Sequence, residues 1–352
     1  MTDTVTAWGT TLQAAGCAKC GQAYLVPPNQ INDTCPNCFA AKLSPQGARL
    51  RPEPPELVAP FNISSTQVEN ALTKWLEKVW LRPSELNAQT LRSRLRKTYI
   101  PMFLVDGKVN GAWQAQAGYD YQVVSSQENF SSGQWKTQQI TKTRIRWEPR
   151  AGTVERSYEN IAVPATEDHD SLMNALGDYK IAAAQPYSVE ALTDSSVRVP
   201  TLTPESAWSF AQSGFNHFAA NDCQLASDAQ HVEEFNFNGD YHNLNWTQLL
   251  LPVYTTAYKD DDGKIYRVMI NGQNGHVNGK LRASPKTAWL WAGIIAASAF
   301  GCFIVTLLTG LIGLAVPPVF IIAAVLFVVS LIIAIIAFVP LIWAWNFNSK
   351  NK

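Results

Sequence analysis

From Ala288 to Trp345 the chain reads AWLWAGIIAASAFGCFIVTLLTGLIGLAVPPVFIIAAVLFVVSLIIAIIAFVPLIWAW. No Lys, Arg, Asp, Glu or His interrupts this run. A bilayer core about 30 Å thick takes roughly 20 apolar residues as a helix, so the run is too long for one crossing and long enough for two. Near its middle lies Thr309-Gly310-Leu311-Ile312-Gly313-Leu314-Ala315-Val316-Pro317-Pro318, where two glycines and two prolines break a helix. The reading is a membrane hairpin over 288–345, with spans near 289–309 and 319–343. A soluble core seldom sustains such a run without polar punctuation.

The flanks orient the hairpin. Lys280, Arg282 and Lys286 precede the first span, Lys350 and Lys352 follow the second, and the connecting loop is uncharged. Positive flanks stay in the cytoplasm, so both termini are expected to be cytosolic, with 346–352 as a short tail. Met1 to Ala15 is polar and lacks the basic start and apolar stretch of an export signal. Trp289, Trp291, Trp343 and Trp345 sit where interfacial aromatics belong. Gly293, Ala297 and Gly301 recur every four residues, a spacing that lets helices approach closely. They are candidates for packing on the second span, where Ser330 and Ala334 offer a similar face, or on another subunit. The absence of ionisable groups inside the spans argues against a proton relay or a charged-substrate transporter.

The 352 residues carry 28 basic and 28 acidic side chains, so no global charge points to nucleic acid. Four of the six cysteines form two C-x2-C pairs, Cys17/Cys20 and Cys35/Cys38. Each pair makes a tight knuckle that presents two thiolates to one ion, and two knuckles complete a tetrahedral cage that suits Zn²⁺. A rubredoxin-like iron site is the lesser alternative, and disulfides do not persist in a reducing cytosol. Four protein ligands leave no open position, so one structural zinc ion is expected. Cys223 and Cys302 read as buried thiols.

The organisation expected is α+β. Residues 1–14 read as disordered, 15–42 as the zinc ribbon, 43–60 as a Pro-rich extended linker and 61–287 as a cytosolic α+β domain with an antiparallel sheet. A helix is expected from Thr66, where Thr66 and Glu69 fit a capping box, and Ser84 could cap a second. Strands are expected at 99–105, ending in an Asp106-Gly107 turn, at 113–124 and at 137–147. Helices follow near 170–185 and from Thr203-Pro204 to about Ala226. The last strands, 249–258 and 264–270, flank the turn Asp260-Asp261-Asp262-Gly263. A second turn at 271–275 leads into 276–281. Ile100-Pro101-Met102-Phe103 and Leu251-Pro252-Val253-Tyr254 echo each other, by chance or as paired edges of one sheet.

Several segments together resemble a bacterial family of TFIIB-type zinc-ribbon membrane proteins, often loosely labelled after the primosomal helicase. The matching residues are the four cysteines, Pro60-Phe61-Asn62-Ile63, Ala71, Trp75-Leu76, Trp80-Leu81-Arg82-Pro83, Leu86, Tyr99 to Phe103, Leu251 to Tyr254 and Tyr266 to Gly275. The resemblance implies a zinc ribbon on a membrane-bound α+β domain at the bacterial inner membrane. It also implies partners of the phage-shock-protein-A-like, TPM-domain or flotillin-like (SPFH) kinds, and a role in envelope stress or membrane organisation. The helicase label fails on the residues: Gly279-Lys280 is followed by Leu281, and position 274 is Asn, so no Walker A loop is present.

No H-E-x-x-H or G-x-S-x-G occurs. Glu167-Asp168-His169-Asp170 reads as a solvated loop capping the next helix. Two basic clusters, Arg92/Arg94/Arg96/Lys97 and Lys142/Arg144/Arg146, are surface groups or contacts to anionic lipid or an acidic partner. The ribbon carries only Lys19 beside its knuckles, too little for phosphate binding, so nucleic acid is disfavoured. The expectation is a non-enzymatic membrane-anchored adaptor of unknown oligomeric state. The alternatives are a membrane-tethered nucleic-acid-binding regulator and, third, an envelope enzyme.

Overall fold

The computed structural model describes residues 8–9, 11–47 and 53–351. The strands are β1 (Gln13–Gly16), β2 (Ala23–Val26), β3 (Ser44–Pro45), β4 (Leu57–Val58), β5 (Arg96–Ser131), β6 (Gln134–Pro164), β7 (Gln185–Pro186), β8 (Ser195–Arg198), β9 (His231–Lys259), β10 (Ile265–Asn271) and β11 (Val277–Gly279). The helices are α1 (Ser65–Leu76), α2 (Ala88–Ser93), α3 (His169–Leu176), α4 (Pro204–Ser227), α5 (Pro285–Gly313), α6 (Val319–Ile336) and α7 (Val339–Lys350). Among the described residues these strands join one mixed sheet, in the order β11-β10-β9-β5-β8-β2-β1-β3, with β6 on β5, β4 on β9 and β7 on β4. The fold is α+β with a Cys₄ cluster near the N-terminus and two apolar helical segments at the C-terminus.

The centre of the sheet is the β5–β9 pair. Its register sets Ile100 opposite Leu251 and Pro101 opposite Leu250, so the two echoing Pro segments are direct partners. Leu249, Leu250, Leu251 and Val253 are fully buried there. The expected turn at Asp106-Gly107 does not form. The register slips at this point, and the strand continues. Asp106 accepts from the Asn160 amide at 2.8 Å, and partners on both edges hold the backbone extended. A bulge answers the same local chemistry that would otherwise make a turn.

β5 spans 36 residues and β6 31, far longer than ordinary strands. The pair β5–β6 closes at Ser132-Gly133, both with positive φ (55° and 78°), the two-residue primed turn that matches strand twist. β9 accompanies β5 only as far as Gly118. Beyond it, residues 119–131 and 134–146 form a two-stranded arm, whose end carries the exposed rings of Phe130 and Trp135 with centroids 5.2 Å apart.

Helix α4 starts where expected. Thr203 and Ser206 form a capping box and Pro204 occupies the first turn. Ala207, Ala211, Phe215, Ala219 and Cys223 recur every four residues on its buried face, which packs on Phe103, Val105, Val109, Ile161 and Val163. Its far end reaches the root of the arm, where the Tyr119 hydroxyl donates to the Ser227 carbonyl at 2.9 Å. Helix α1 begins slightly earlier than expected, because Ser64 and Gln67 supply the box. The expected cap partner Glu69 pairs instead with Arg92. The second helix is capped by Asn87 rather than Ser84.

Two expected loose segments are docked. Trp8 and Leu12 are buried with Tyr99 and Leu250, and β1 begins at Gln13, so the described part of 1–14 is ordered by apolar packing; residues 1–7 and 10 lie outside the described residues. Within 43–60, Ser44–Pro45 pairs with β1, and Leu57–Val58 runs parallel to Leu249–Leu250. Ala59 is fully buried, so this end of the expected linker is sheet; residues 48–52 lie outside the described residues.

The apolar helical segments Pro285–Gly313 and Val319–Lys350 are each long and apolar enough to cross a membrane. They run antiparallel, with the Gly313 backbone against Phe320, Cys302 near Leu326, and Phe303 against Phe327. Besides Ala288 and Pro340, the buried positions are Ala292, Ala299, Thr306 and Gly313 on α5 and Ala323, Ser330, Ala337 and Ala344 on the partner. Both sets repeat every seven residues, the period that keeps one seam facing its partner. The small residues at that seam permit close backbone approach. Ala297 and Gly301 point outward, whereas Gly293 borders an open groove beside the seam; a Cβ at Gly293 or Gly301 would touch nothing within 4 Å. The seven-residue series occupies the seam, so of the two contacts expected for this stripe the one with Ser330 and Ala334 is not a close one, which leaves packing on another subunit.

The base of the helical pair is part of the domain. Ser284 caps α5, its hydroxyl accepting from the Thr287 amide at 2.9 Å and donating to Asp261 at 2.6 Å. Asp261, in the β9–β10 turn, also accepts from the Lys286 amide at 3.0 Å, which sets a carboxylate at a helix N-terminus. Asn348 clamps Ala283 through both backbone groups, and Trp343 packs edge-on to Trp80 at 5.7 Å. Ala288 and Ala344 lie in the same core as Trp75, Leu76 and Tyr258.

Candidate metal centre

The Cys₄ cluster is built by two backbone knuckles of one design. In the first, Gly21 donates to the Cys17 carbonyl at 2.9 Å; in the second, Phe39 donates to the Cys35 carbonyl at 3.0 Å. The fifth residue of each knuckle must take positive φ. Gly21 does so at 71° without steric cost, whereas Phe39 is held at 52°. The Asn37 amide donates to the Cys35 sulfur at 3.4 Å.

The four sulfurs lie within 4.8 Å of one another, with Cys17–Cys38 at 3.6 Å and Cys20–Cys35 at 3.7 Å. Metal–sulfur bonds of about 2.3 Å in a tetrahedron set sulfurs about 3.8 Å apart, so the cage fits a single ion of that size. Cys17 and Cys35 are buried, and Cys20 and Cys38 are half-buried. Burial opposes ionisation at Cys17, but the amides of Cys20 and Lys19 and the neighbouring thiols bring it down to about 7. Burial pushes Cys35 and Cys38 up, over the opposing pull of nearby amides. A cation among these thiols would favour deprotonation of all four.

Two arginines, Arg198 buried and Arg267 half-buried, lie on the strands beside the cluster. Arg198 on β8 is 4 % exposed. Its Nε donates to Gln22 at 2.8 Å, and its two Nη atoms reach Asp168 at 3.0 and 2.8 Å. Arg267 on β10 donates to the Asn37 side chain, and burial holds its pKa below the usual arginine value. Tyr24, buried between the cysteines and both arginines, is pushed up chiefly by burial. Four thiolates around a divalent ion carry a net charge of −2; Arg267, bonded to Asn37 within the second knuckle, sets a positive charge beside them, while the charge of Arg198 is met by Asp168. Arg198 and Arg267 were invisible as site residues in the sequence. Arg198 lies on a four-residue strand without periodicity, and Arg267 lies more than 200 residues from the cysteines.

The cluster is joined to the domain by its backbone as well. Strand β2 pairs with β8, setting Tyr24 opposite Arg198, and β8 runs parallel to Lys97–Tyr99 of β5. The cysteine module is thus the edge of the large sheet rather than a bead on a linker.

The first basic cluster is largely neutralised internally. Arg92 pairs with Glu69 at 2.7 Å, Arg94 with Glu85 at 2.8 Å and Arg96 with Asp33 at 3.1 Å, while Lys97 stands over the Phe61 ring. Arg96–Asp33 is one more tie to the cysteine module. The second cluster is different. Lys142, Arg144 and Arg146 are exposed on β6 of the arm, opposite Val123, Tyr121 and Tyr119. Lys136 shares their face, since the register sets it opposite Asn129. Arg146 pairs with Glu148 at 3.0 Å and lies over Tyr119.

The expected solvated loop at 167–170 is met in part: Glu167 and Asp170 are exposed and Asp168 stands at the N-cap of α3, but His169 is packed inside. Asp168 is held below the usual carboxylate range: burial raises it, but the Arg198 guanidinium outweighs this. His169 opens α3 and is buried, which lowers its pKa, with the carboxylates of Asp170 and Asp168 opposing. Cys223 is buried and pushed up to about 11 by burial and Asp222, as befits an inert thiol.

The chain is similar to uncharacterized protein YdjG of Bacillus subtilis (strain 168), 24 % identical over 254 residues, which cover 70 % of this chain and 69 % of that one. No family model matches the chain, and no solved structure matches it.

Proposed function

We propose that this protein is a membrane-anchored zinc-ribbon adaptor without enzymatic activity of its own, acting at the cytosolic face of a bacterial inner membrane. The observation that carries the reading is the continuity of the sheet. One end is fastened to the apolar helices through Asp261 and Ser284, one edge is the cysteine module, and the opposite end is the arm with Phe130 and Trp135 at its tip. In this reading Zn²⁺ fills the Cys₄ cage with no open position and serves the fold rather than a reaction. The helical pair crosses the bilayer twice, with basic flanks and both termini in the cytosol. The resemblance to zinc-ribbon membrane proteins supports envelope stress or membrane organisation as the setting. Phage-shock-protein-A-like, TPM-domain or flotillin-like proteins are then the partners to test.

The experiment is affinity purification of the full chain from detergent, comparing wild type with Cys17→Ser, Cys35→Ser and Trp135→Ser. Partners captured by wild type and lost from the variants support the adaptor; identical captures throughout would remove its basis. A second reading, a membrane-tethered nucleic-acid-binding regulator, draws on the arm, where four cations alternate on one face beside Tyr119 and Tyr121. A gel shift with steep salt dependence, abolished by Arg144→Ser, would favour it.

A further inference from the structure

The two apolar helical segments leave a long groove on one side of their seam. Its deep part encloses about 570 Å³ between α5 and α6. Its floor is Ala292, Gly293 and Ala299 on one side and Ala334 on the other, with Phe300 and Phe338 among its larger walls. Toward the domain, a second hollow of about 420 Å³ shares the walls Trp289 and Leu341, so the two adjoin and together make the channel proposed below. From Trp289 to Phe303 the helix rises about 21 Å, more than the depth of one leaflet.

The chemistry of the channel changes along its length. The one hydroxyl in the deep part, on Ser330, donates to the Phe327 carbonyl of its own helix at 2.8 Å and is satisfied. That part offers a guest only hydrocarbon contact. The mouth is lined by Arg282, Asn348 and Ser349, and no carboxylate lines either part. Arg282 is fixed: Nε donates to the Tyr266 hydroxyl at 3.3 Å, Nη1 donates to the Asn348 carbonyl at 3.0 Å, and the guanidinium lies over the Tyr266 ring. These bonds use two of its five N–H donors. A pre-positioned guanidinium at the membrane boundary, above a hydrocarbon slot, matches a phosphodiester joined to an acyl chain.

We infer that this channel is a binding site for one anionic glycerophospholipid, with an acyl chain between α5 and α6 and its phosphate on Arg282. The inference rests on the reading of the helices as membrane spans. The test uses the full chain in nanodiscs of phosphatidylcholine with a minor fraction of phosphatidylglycerol, with retained lipid counted by native mass spectrometry after gentle release. Wild type is expected to retain phosphatidylglycerol over phosphatidylcholine. Arg282→Gln should cut that preference roughly fivefold. Gly293→Leu should empty the site of both lipids, because Gly293 lines the channel and a Cβ there meets no other atom. Gly301→Leu, equally free of contacts but outside the channel, should behave as wild type. An unchanged preference in Arg282→Gln, or full retention in Gly293→Leu, overturns the site. So does loss of a co-purifying protein rather than lipid in Gly293→Leu, which would make the guest a foreign helix. Carbonate extraction separates two failures: a chain that stays in the membrane without lipid preference sinks the lipid site alone, whereas one that is extracted sinks the membrane reading itself.

Discussion

Arg198 and Asp168 form an asymmetric pair, and their separate removal should show it. The arginine side chain is 4 % exposed and the aspartate 39 %. Arg198→Gln deletes both contacts to Asp168, but the carboxylate left behind can turn to water. The cost is that of a partly buried charged hydrogen-bonded pair, about 2 kcal/mol. Asp168→Asn leaves a guanidinium that has no route to solvent with only neutral acceptors, Gln22 and the new amide oxygen. Breaking a buried pair in that way costs about 3–5 kcal/mol. The carboxylate variant should therefore be the less stable by at least about 1 kcal/mol, although the arginine is the more buried residue. The assay is urea unfolding of the full chain in detergent, read by tryptophan fluorescence and compared at constant slope. Equal losses, or a larger loss in Arg198→Gln, would refute the argument that the buried cation sets the cost. Because Arg198 lies opposite Tyr24, which packs with Cys17 and Cys35, chelation should widen the gap: a cage without its ion loosens the strand that encloses the guanidinium.

Elemental analysis should find one zinc ion per chain, and Cys35→Ser should lose it and expose Cys17 to thiol reagents, since the sulfurs share a single cage. Acid should destabilise the corner at 166–170 in two stages. His169 has a lowered folded pKa, so its contribution is complete above the unfolded value near 6.5 and declines as pH falls toward the folded value; Asp168, also lowered, contributes above about 3.9 and fails below it. Asp168→Asn should erase the lower stage and leave the upper one, as measured by unfolding across pH. Ala299→Leu, at the seam, should cost about 1–3 kcal/mol by overpacking, whereas Ala297→Leu on the outward face should cost little; thermal unfolding in detergent distinguishes them.

What could be read in advance was local. Thr203-Pro204 marks the start of α4 because cap and first-turn chemistry act within a few residues, and the two C-x2-C pairs mark the cage because ligand spacing is itself the signal. The strands expected at 99–105, 113–124, 137–147 and 249–258 all lie within β5, β6 and β9, but each was drawn shorter than the strand that holds it. Gln122 to Ser131 is mostly polar, so no burial pattern distinguishes a projecting strand from a loop. The helical seam was legible but misread. Glycine at intervals of four drew attention to Gly293 and Gly301, while the series Ala292, Ala299, Thr306 and Gly313 met its counterpart from Ala323 to Ala344. The docking of the cysteine module on β8 depends on contacts more than 170 residues apart, such as Gln22 with Arg198, which no window of sequence contains.

The reach of β5 has a consequence of its own. Its first residues lie beside the turn that grips α5, and its last residues lie at the tip of the arm. At about 3.3 Å per residue, 36 residues extend on the order of 100 Å. A tip carried so far on a paired rod is held at a set distance from the base of the apolar helices. Any molecule gripped by Phe130 and Trp135 would be sorted by its distance from that base as well as by its chemistry. Shortening the arm by paired deletions on both strands would draw the tip inward in steps of two residues, which gives the fold an adjustable reach.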